Sequence, residues 1–230
     1  MKKEKIPIRT KLLFLLCVFQ TLLFSEEVCF FLPPEGWQAA RPQGLSEYVE
    51  IGFVGKSSES FSPSISLAKE GIDCGLKEYV QAVKEIHLAE ANTQYRDLGP
   101  FAMKGGKGRL IQLSNPSTWG DLTLFQAILV KDKMAYILTA SMLKQEMASL
   151  QKEVIASLQS LDVKPDLWTD LDELKQSVQT VIGEKAADTQ NEQKWTALQK
   201  LIEQETKHLG AHWQYLALKE THAQIFGRTQ

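Results

Sequence analysis

The sequence predicts an α+β protein: an α/β/α sandwich around an antiparallel sheet, followed by a C-terminal α-helical hairpin. Three observations predict it. Short runs of alternating apolar and polar residues, separated by Gly, Pro and Ser, fill residues 29–163. Two stretches with apolar residues at helical spacing interrupt and close that region. Beyond Pro165 the apolar residues recur at helical spacing throughout. Together with the first 25 residues, which are described next, this divides the chain into residues 1–25, 26–163 and 164–230.

The first 25 residues have the composition of an export signal. Five basic side chains and one acidic side chain lie in residues 1–11, and a mostly apolar run of 13 residues, 12–24, follows. That run is shorter than the roughly 20 residues that a membrane-spanning helix needs. We therefore expect cleavage after Ser25 and a periplasmic protein. The alternative is a form tethered to the inner membrane by the uncleaved segment, and we expect no other membrane attachment.

Composition and charge exclude some classes of partner. Apolar residues make up 43% of the chain and charged residues 23%, as in ordinary folded soluble proteins. The net charge is −2, and it becomes −6 without the five basic and one acidic residues of the signal. A chain with no excess of positive charge lacks the surface that binds a phosphate backbone, so we expect no nucleic-acid partner.

Seven strands and two helices are expected within residues 26–163. The expected strands are 29–32, 48–54, 64–68, 95–103, 108–114, 122–131 and 134–141, and the expected helices are 75–90 and 147–161. Asp132 and Lys133 separate two of the strands and predict a hairpin turn. Trp37 follows a Pro-Pro-Glu-Gly turn, and we expect its ring to pack over a sheet edge. The glycine-rich segment 104–108 precedes a strand rather than a helix, which favours a turn over a phosphate loop.

Part of this region resembles the PsbP-like family. The matching positions are the opening motif 30–37, the strand start 108–110, the hairpin segments 125–130 and 134–140, and the closing helix. The resemblance covers residues 28–163 and lies at packing and turn positions rather than at chemical ones. It implies an α/β/α sandwich and a non-catalytic role in binding or assembling other proteins.

The tail has apolar residues at heptad spacing. The first helix of the hairpin carries Leu167, Leu171, Leu174, Val178 and Val181. The second is expected to run from Thr189, which opens a capping-box sequence, to Phe226 before Gly227, with Trp195, Leu198, Ile202, Leu209 and Leu216 on its seam. Two helices bury too little surface to be stable alone. The hairpin must therefore pack on its own domain, on a second copy or on another protein.

Two polar residues interrupt the second seam. Glu205 and His212 lie where apolar residues are expected, and we interpret them as a polar layer that could make the hairpin sensitive to pH. His208 and His212 also have a spacing that would let two imidazoles face one metal ion. No third ligand is identifiable, so we expect no metal and no cofactor.

The remaining cysteines and one aromatic residue are further candidates. After removal of the signal, Cys29 and Cys74 could form a disulfide in an oxidising compartment, and two separate thiols are the alternative. Trp119 lies in a turn flanked by Gly and Pro, which favours an exposed, ligand-contacting ring. Ser141 and Lys144 have the Ser-x-x-Lys spacing of some acyl-transfer enzymes, but the later elements of that motif are missing, and we assign no catalytic residue.

These observations favour an exported, non-catalytic binding or adaptor protein of the bacterial cell envelope. We expect its contact surfaces to be the loop around Trp119 and the tail seam with Trp195, Leu198, Ile202 and Leu209. The partner would be another protein or a second copy of the chain. The alternative is a small-ligand-binding or hydrolytic enzyme whose site is assembled from residues that the sequence does not connect.

Overall fold

The computed structural model describes residues 27–40, 49–56, 61–183 and 188–227, and the predicted signal of residues 1–25 lies outside them. The strands are β1 (Val28–Phe30), β2 (Gln38–Ala39), β3 (Val49–Val54), β4 (Ser64–Gly71), β5 (Gln94–Met103), β6 (Gly106–Ser117), β7 (Gly120–Lys131), β8 (Met134–Leu143) and β9 (Asp162–Lys164). The helices are α1 (Leu76–Ala89), α2 (Met147–Gln159), α3 (Asp172–Gly183), α4 (Asp188–Glu205) and α5 (Gly210–Phe226).

The centre of the fold is an antiparallel sheet with the strand order β2-β3-β4-β8-β7-β6-β5. Successive side chains of its long strands point to opposite faces of the sheet, so each strand presents apolar side chains to both faces. Tyr79 and Val80 of α1 pack on one face, and Val154 and Leu158 of α2 pack on the other. The predicted α/β/α sandwich around an antiparallel sheet is therefore confirmed.

The hairpin between β7 and β8 is also confirmed. Asp132 and Lys133 have φ values of 47° and 62°. Positive φ at both central residues is what a two-residue type I′ turn requires, and its twist matches that of the flanking strands. A turn joins β5 and β6, as expected, but it has only Lys104 and Gly105, because residues 106–108 already belong to β6. Its Gly105 N–H donates to the Leu161 carbonyl at 2.8 Å, which fixes this turn against the end of α2.

Strand β1 belongs to two cores at once. It pairs with β9 in a separate two-stranded sheet, with Val28 opposite Lys164 and Phe30 opposite Asp162. Because side chains alternate along a strand, Cys29 lies in the core of the sandwich whereas Phe30 lies in the core of the tail. The sandwich and the tail therefore share their first strand.

The tail ends in the expected helix pair, but its second helix is divided. Helix α4 ends at Glu205, a single 3-10 turn covers 207–209, and α5 begins at Gly210, whose φ is +80°. The Thr206 hydroxyl donates to the Ile202 carbonyl at the break. A Cβ at Gly210 would lie 2.6 Å from Cδ2 of Leu32. The expectation of one helix from 189 to 226 is wrong because the chain turns here to bring α5 onto the sandwich.

The two cysteines are not joined, which corrects the possible disulfide. Cys29 is buried in the sandwich core on β1, and Cys74 is exposed just before α1, the helix on the opposite face of the sheet. Burial, the main cause, and the neighbouring Glu50 carboxylate raise the pKa of the Cys29 thiol above its ordinary value. The pair is therefore two separate thiols in different environments.

Trp37 packs as expected. Its backbone N–H donates to the Pro34 carbonyl at 3.2 Å, which closes the turn, and its half-buried ring lies against the sandwich core. A Cβ at Gly55 would lie only 2.8 Å from Cε2 of that ring. Glycine at this position therefore leaves room for the ring at the sheet edge.

Candidate binding surface

The turn between β6 and β7 carries the most exposed aromatic ring of the sandwich that the structure describes. Trp119 is 52% exposed. The Ser117 hydroxyl donates to the Gly120 carbonyl at 2.7 Å and accepts from the Trp119 N–H at 3.1 Å. These two hydrogen bonds and the paired strands fix the backbone of the turn that carries the exposed ring.

Charged groups and one further aromatic ring surround Trp119. The Phe61 ring centroid lies 5.8 Å from that of Trp119, with the planes tilted by 48°. A cleft of about 310 Å³ beside the indole is lined by Trp119, Gly120, Asp121, Leu143, Lys144 and Gln145. We call Trp119, Phe61, Asp121 and Lys144 the aromatic turn. It offers apolar area at its centre and one charge of each sign at its rim.

The two charged side chains of the aromatic turn form an ion pair at the surface. Lys144 Nζ lies 3.8 Å from Asp121 Oδ2, and both side chains are largely exposed, so solvent screens the pair. Ser141 lies on β8, opposite Ser64 of β4 and Leu124 of β7.

The tail seam is not available to a partner. Leu198 and Ile202 are completely buried, and Leu209 is partly buried against the same cluster. That cluster also contains Phe30 of β1 and Trp213 of α5. These residues therefore hold the tail to its own chain, which corrects the expectation that they form a contact surface. Of the three predicted alternatives, the structure shows the tail packed on its own domain.

Trp195 is partly accessible, as Leu209 is. Its ring packs edge-to-face on His222 at 5.0 Å and on Phe226 at 6.5 Å, measured between ring centroids. Phe226 is itself exposed, and His222 is half-buried. These ring contacts join α4 to α5.

Glu205 and His212 do not form a polar layer. Glu205 is exposed at the end of α4, whereas His212 is 2% exposed and faces the sandwich. Its Nδ1 accepts a hydrogen bond from the Phe31 N–H at 3.3 Å, and its ring packs edge-to-face against those of Phe31 and Phe53. Burial lowers the pKa of His212 from 6.5 to about 3. The break before Gly210 turns His212 away from α4, so it joins the tail to the sandwich instead.

One buried carboxylate was missed by sequence reasoning. Asp162 on β9 is almost fully buried, and its Oδ1 accepts from the Val163 N–H at 2.9 Å. Its Oδ2 lies 3.7 Å from Lys104 Nζ and 3.9 Å from Lys164 Nζ. These two ammonium groups compensate a charge that would otherwise be costly to bury. Strand β9 has three residues, too few for alternation to mark it in the sequence.

The described residues hold neither a metal-binding cluster nor a helix suited to spanning a bilayer. No group of three or more His, Cys, Asp or Glu side chains in this part of the chain could hold a metal ion. His208 is exposed, and His212 faces the sandwich, so the two do not converge. Of the helices that the structure describes, none combines the length and the hydropathy required to cross a bilayer.

No family model and no curated protein matches the chain. Solved structures do. LpqN of Mycobacterium tuberculosis, described as involved in cell envelope biogenesis, is 15% identical with a TM-score of 0.48, over 61% of this chain and 85% of that chain. The cyanobacterial PsbP of Synechocystis is 11% identical with a TM-score of 0.45, over 62% of this chain and 95% of that chain. The yeast Ran-binding protein Mog1p is 15% identical with a TM-score of 0.36, over 55% of this chain and 82% of that chain.

These likenesses concern the fold alone. The cyanobacterial PsbP is of the family that the sequence resembles, and the sheet with helices on both faces is the architecture that this resemblance implies. The covered share ends short of the whole chain in each case. None of the three assigns a partner or an activity to this protein.

Proposed function

We propose that the protein is an exported, non-catalytic adaptor of the bacterial cell envelope that binds a protein partner through the aromatic turn. The observation that carries the proposal is Trp119, a large ring that is 52% exposed on a hydrogen-bonded hairpin. Trp residues held rigid in this way contribute much of the free energy of protein interfaces, because little conformational entropy is lost on binding. The composition of residues 1–25 supports export.

The sheet edges favour binding by side chains over binding by strand addition. The edge strand β5 has an irregularity in its pairing between Asp97 and Gly99, and Pro100 next to it lacks an N–H donor. Arg109 on β6 forms two hydrogen bonds with Asp97, at 2.6 and 2.8 Å, beside that irregularity. At the other edge, β2 has only two residues. Short strands, bulges and prolines are the features that prevent a further strand from pairing.

Site-specific cross-linking tests the proposal. A photoreactive phenylalanine analogue replaces Trp119 in one variant and Ile86 in another, and both are irradiated in the envelope fraction of the native cells. Ile86 is a matched control because it is an apolar side chain, 63% exposed, on α1. We expect one discrete adduct from position 119 and none from position 86.

Affinity measurements then separate a true interface from proximity. With the partner purified, Trp119→Ala should weaken binding about thirtyfold, as truncation of a central aromatic residue does. Ile86→Ala should bind like the unchanged protein. Identical adducts from both positions, or an unchanged dissociation constant for Trp119→Ala, would overturn the proposal.

A further inference from the structure

A cleft of about 510 Å³ opens on the tail, where the segment 166–168 meets α3, α5 and the start of β1. Its apolar wall consists of Val28, Leu167, Trp168 and Val178, and the last three belong to the core of the tail. Pockets that hold small ligands have volumes of roughly 300 to 1,000 Å³. The cleft therefore has room for a small molecule or for one long side chain.

Two carboxylates in this cleft are held by one tryptophan. Asp166 Oδ1 accepts a hydrogen bond from the backbone N–H of Trp168 at 2.7 Å, and Glu220 Oε1 accepts one from its indole N–H at 3.0 Å. Trp168 is buried, and its ring packs edge-to-face on Trp213 with 5.7 Å between the centroids. Because a buried residue orients both acceptors, the carboxylates are positioned before any ligand binds.

Each carboxylate has one oxygen that receives no hydrogen bond within the described part of the chain. Gln224 Nε2 donates to the same Oε1 of Glu220, at 3.3 Å, which leaves Oε2 without a donor. Asp166 Oδ2 also lacks one, since Lys175 Nζ lies nearer to Oδ1, at 4.0 Å. The charged side chains that line the cleft are these two carboxylates and Lys175, so its net charge is −1.

An alkylammonium group has the chemistry that matches these side chains. It offers three N–H donors, and hydrogen bonds between ionised groups are stronger than those between neutral ones. The alkyl chain that bears it can lie along Val28, Leu167 and Val178. An anion would meet a net charge of its own sign. A divalent metal ion fits less well, because no third His, Cys, Asp or Glu among the described residues joins the two carboxylates.

We propose that this cleft binds the ammonium group of an aliphatic amine, either a free amine or the side chain of a lysine in another protein. We call Asp166, Trp168, Lys175 and Glu220, with the apolar wall, the carboxylate cleft. Glu220 and Asp166 accept the ammonium N–H groups, and the apolar wall contacts the alkyl chain. Amine binding here does not depend on the aromatic turn.

Nuclear magnetic resonance tests amine binding with residues 26–230, which contain every strand and helix that the structure describes. The five tryptophan indole N–H groups each give one signal in a nitrogen–proton correlation spectrum, and Trp168→Phe identifies the signal of Trp168. Pentylamine should shift that signal saturably at pH 7, because the indole N–H donates to Glu220. The signal of Trp37, which packs on the sandwich core, should stay in place.

Two molecules with the same alkyl chain test the need for an ammonium group. Pentanol and pentanoate should leave the Trp168 signal unshifted at concentrations at which pentylamine saturates it, because both carboxylates would stay unpaired. The blocked tripeptide acetyl-Ala-Lys-Ala-amide distinguishes the two sources of amine. Tighter binding of the tripeptide than of pentylamine assigns the cleft to a lysine side chain, and weaker binding assigns it to a free amine.

Three single substitutions assign the binding to the carboxylate cleft. Glu220→Gln keeps an acceptor for the Trp168 indole but removes the charge, and it should weaken pentylamine binding about tenfold. Glu203→Gln removes the same charge from an exposed residue of α4 outside the cleft and should leave the dissociation constant unchanged. Lys175→Gln removes the competing ammonium group and should strengthen binding about threefold.

Any one of three results refutes the assignment. They are the absence of a saturable shift of the Trp168 signal with pentylamine, an equal shift with pentanol, and equal dissociation constants for Glu220→Gln and Glu203→Gln. Trp119→Ala should bind pentylamine with unchanged affinity. Failure of amine binding is therefore told apart from failure of the partner binding proposed for the aromatic turn.

Discussion

Lowering the pH from 7 to 5 should weaken the folded state through His212. The imidazole is buried against Phe31 and Phe53, and its Nδ1 accepts a hydrogen bond from the Phe31 N–H, so the ring is neutral in the folded protein. Its pKa is about 3 there and about 6.5 in the unfolded chain. Between these values the unfolded state binds the additional proton, so stability is complete above pH 6.5 and falls as the pH falls toward 3.

The size of the effect follows from the interval between the two pKa values. Each pH unit below 6.5 costs about 1.4 kcal/mol while the folded imidazole stays unprotonated. At pH 5 the free energy of unfolding is therefore lower by about 2 kcal/mol from this residue alone. That is a substantial part of the roughly 5 to 15 kcal/mol by which a typical domain is stable.

Urea unfolding of residues 26–230 at pH 7 and at pH 5 measures the loss. His212→Gln is the informative variant, because an amide oxygen can accept the Phe31 N–H but does not titrate. The unchanged protein should lose about 2 kcal/mol more than His212→Gln between the two pH values. Carboxylate titration is common to both proteins and cancels in the difference. His208→Gln, a change at an exposed histidine two residues before Gly210, should behave like the unchanged protein.

The reasoning is refuted if the unchanged protein and His212→Gln lose the same stability on acidification. The same conclusion follows if His208→Gln removes the effect and His212→Gln does not. Either result would mean that the imidazole of His212 is solvated or protonated in the folded protein.

Two further predictions concern backbone conformation and thiol access. Gly210→Ala should lower the free energy of unfolding by about 2 kcal/mol in urea titration, because φ is +80° and the new Cβ would meet Leu32. Gly183→Ala is its control, since a Cβ there meets open space at the end of α3, and equal losses in both variants would contradict the argument. In residues 26–230, a maleimide should modify Cys74 quickly in the native protein and Cys29 only after unfolding. Rapid modification of both thiols would show that β1 is not held in the core.

The sandwich could be predicted because its strands are long. Strands β5 to β8 each have 10 to 12 residues, enough for alternation to be unambiguous, and Asp132 with Lys133 marks a turn by its chemistry. Strands β2 and β9 were missed because two or three residues carry no period. The exposure of Trp119 could also be predicted, since turn residues between paired strands have little to pack against.

The tail was predicted less well because its pattern identifies apolar residues without saying what covers them. The seam spacing continues through Leu209 and Leu216, so periodicity gave no sign of the break. Gly210 was the signal available, because glycine inside a helical pattern is costly and often marks a change of direction. Ile202 and Trp213 share their cluster with Phe30, which lies more than 170 residues away in sequence and is not accessible to reasoning from local patterns.

The shared strand β1 also sets the order in which the chain can fold. β1 emerges first from any export channel that threads the chain from its N-terminus, yet it pairs with β9, more than 130 residues later. Its neighbour Phe31 meets His212 at a separation of 181 residues. The sandwich core cannot close before β9 has crossed, because it contains both Cys29 of β1 and Val163 of β9, and the tail core closes only after α5, which supplies Trp213 and Ala217. If the chain is exported in this way, the pairing of β1 with β9 keeps it threadable until β9 has crossed.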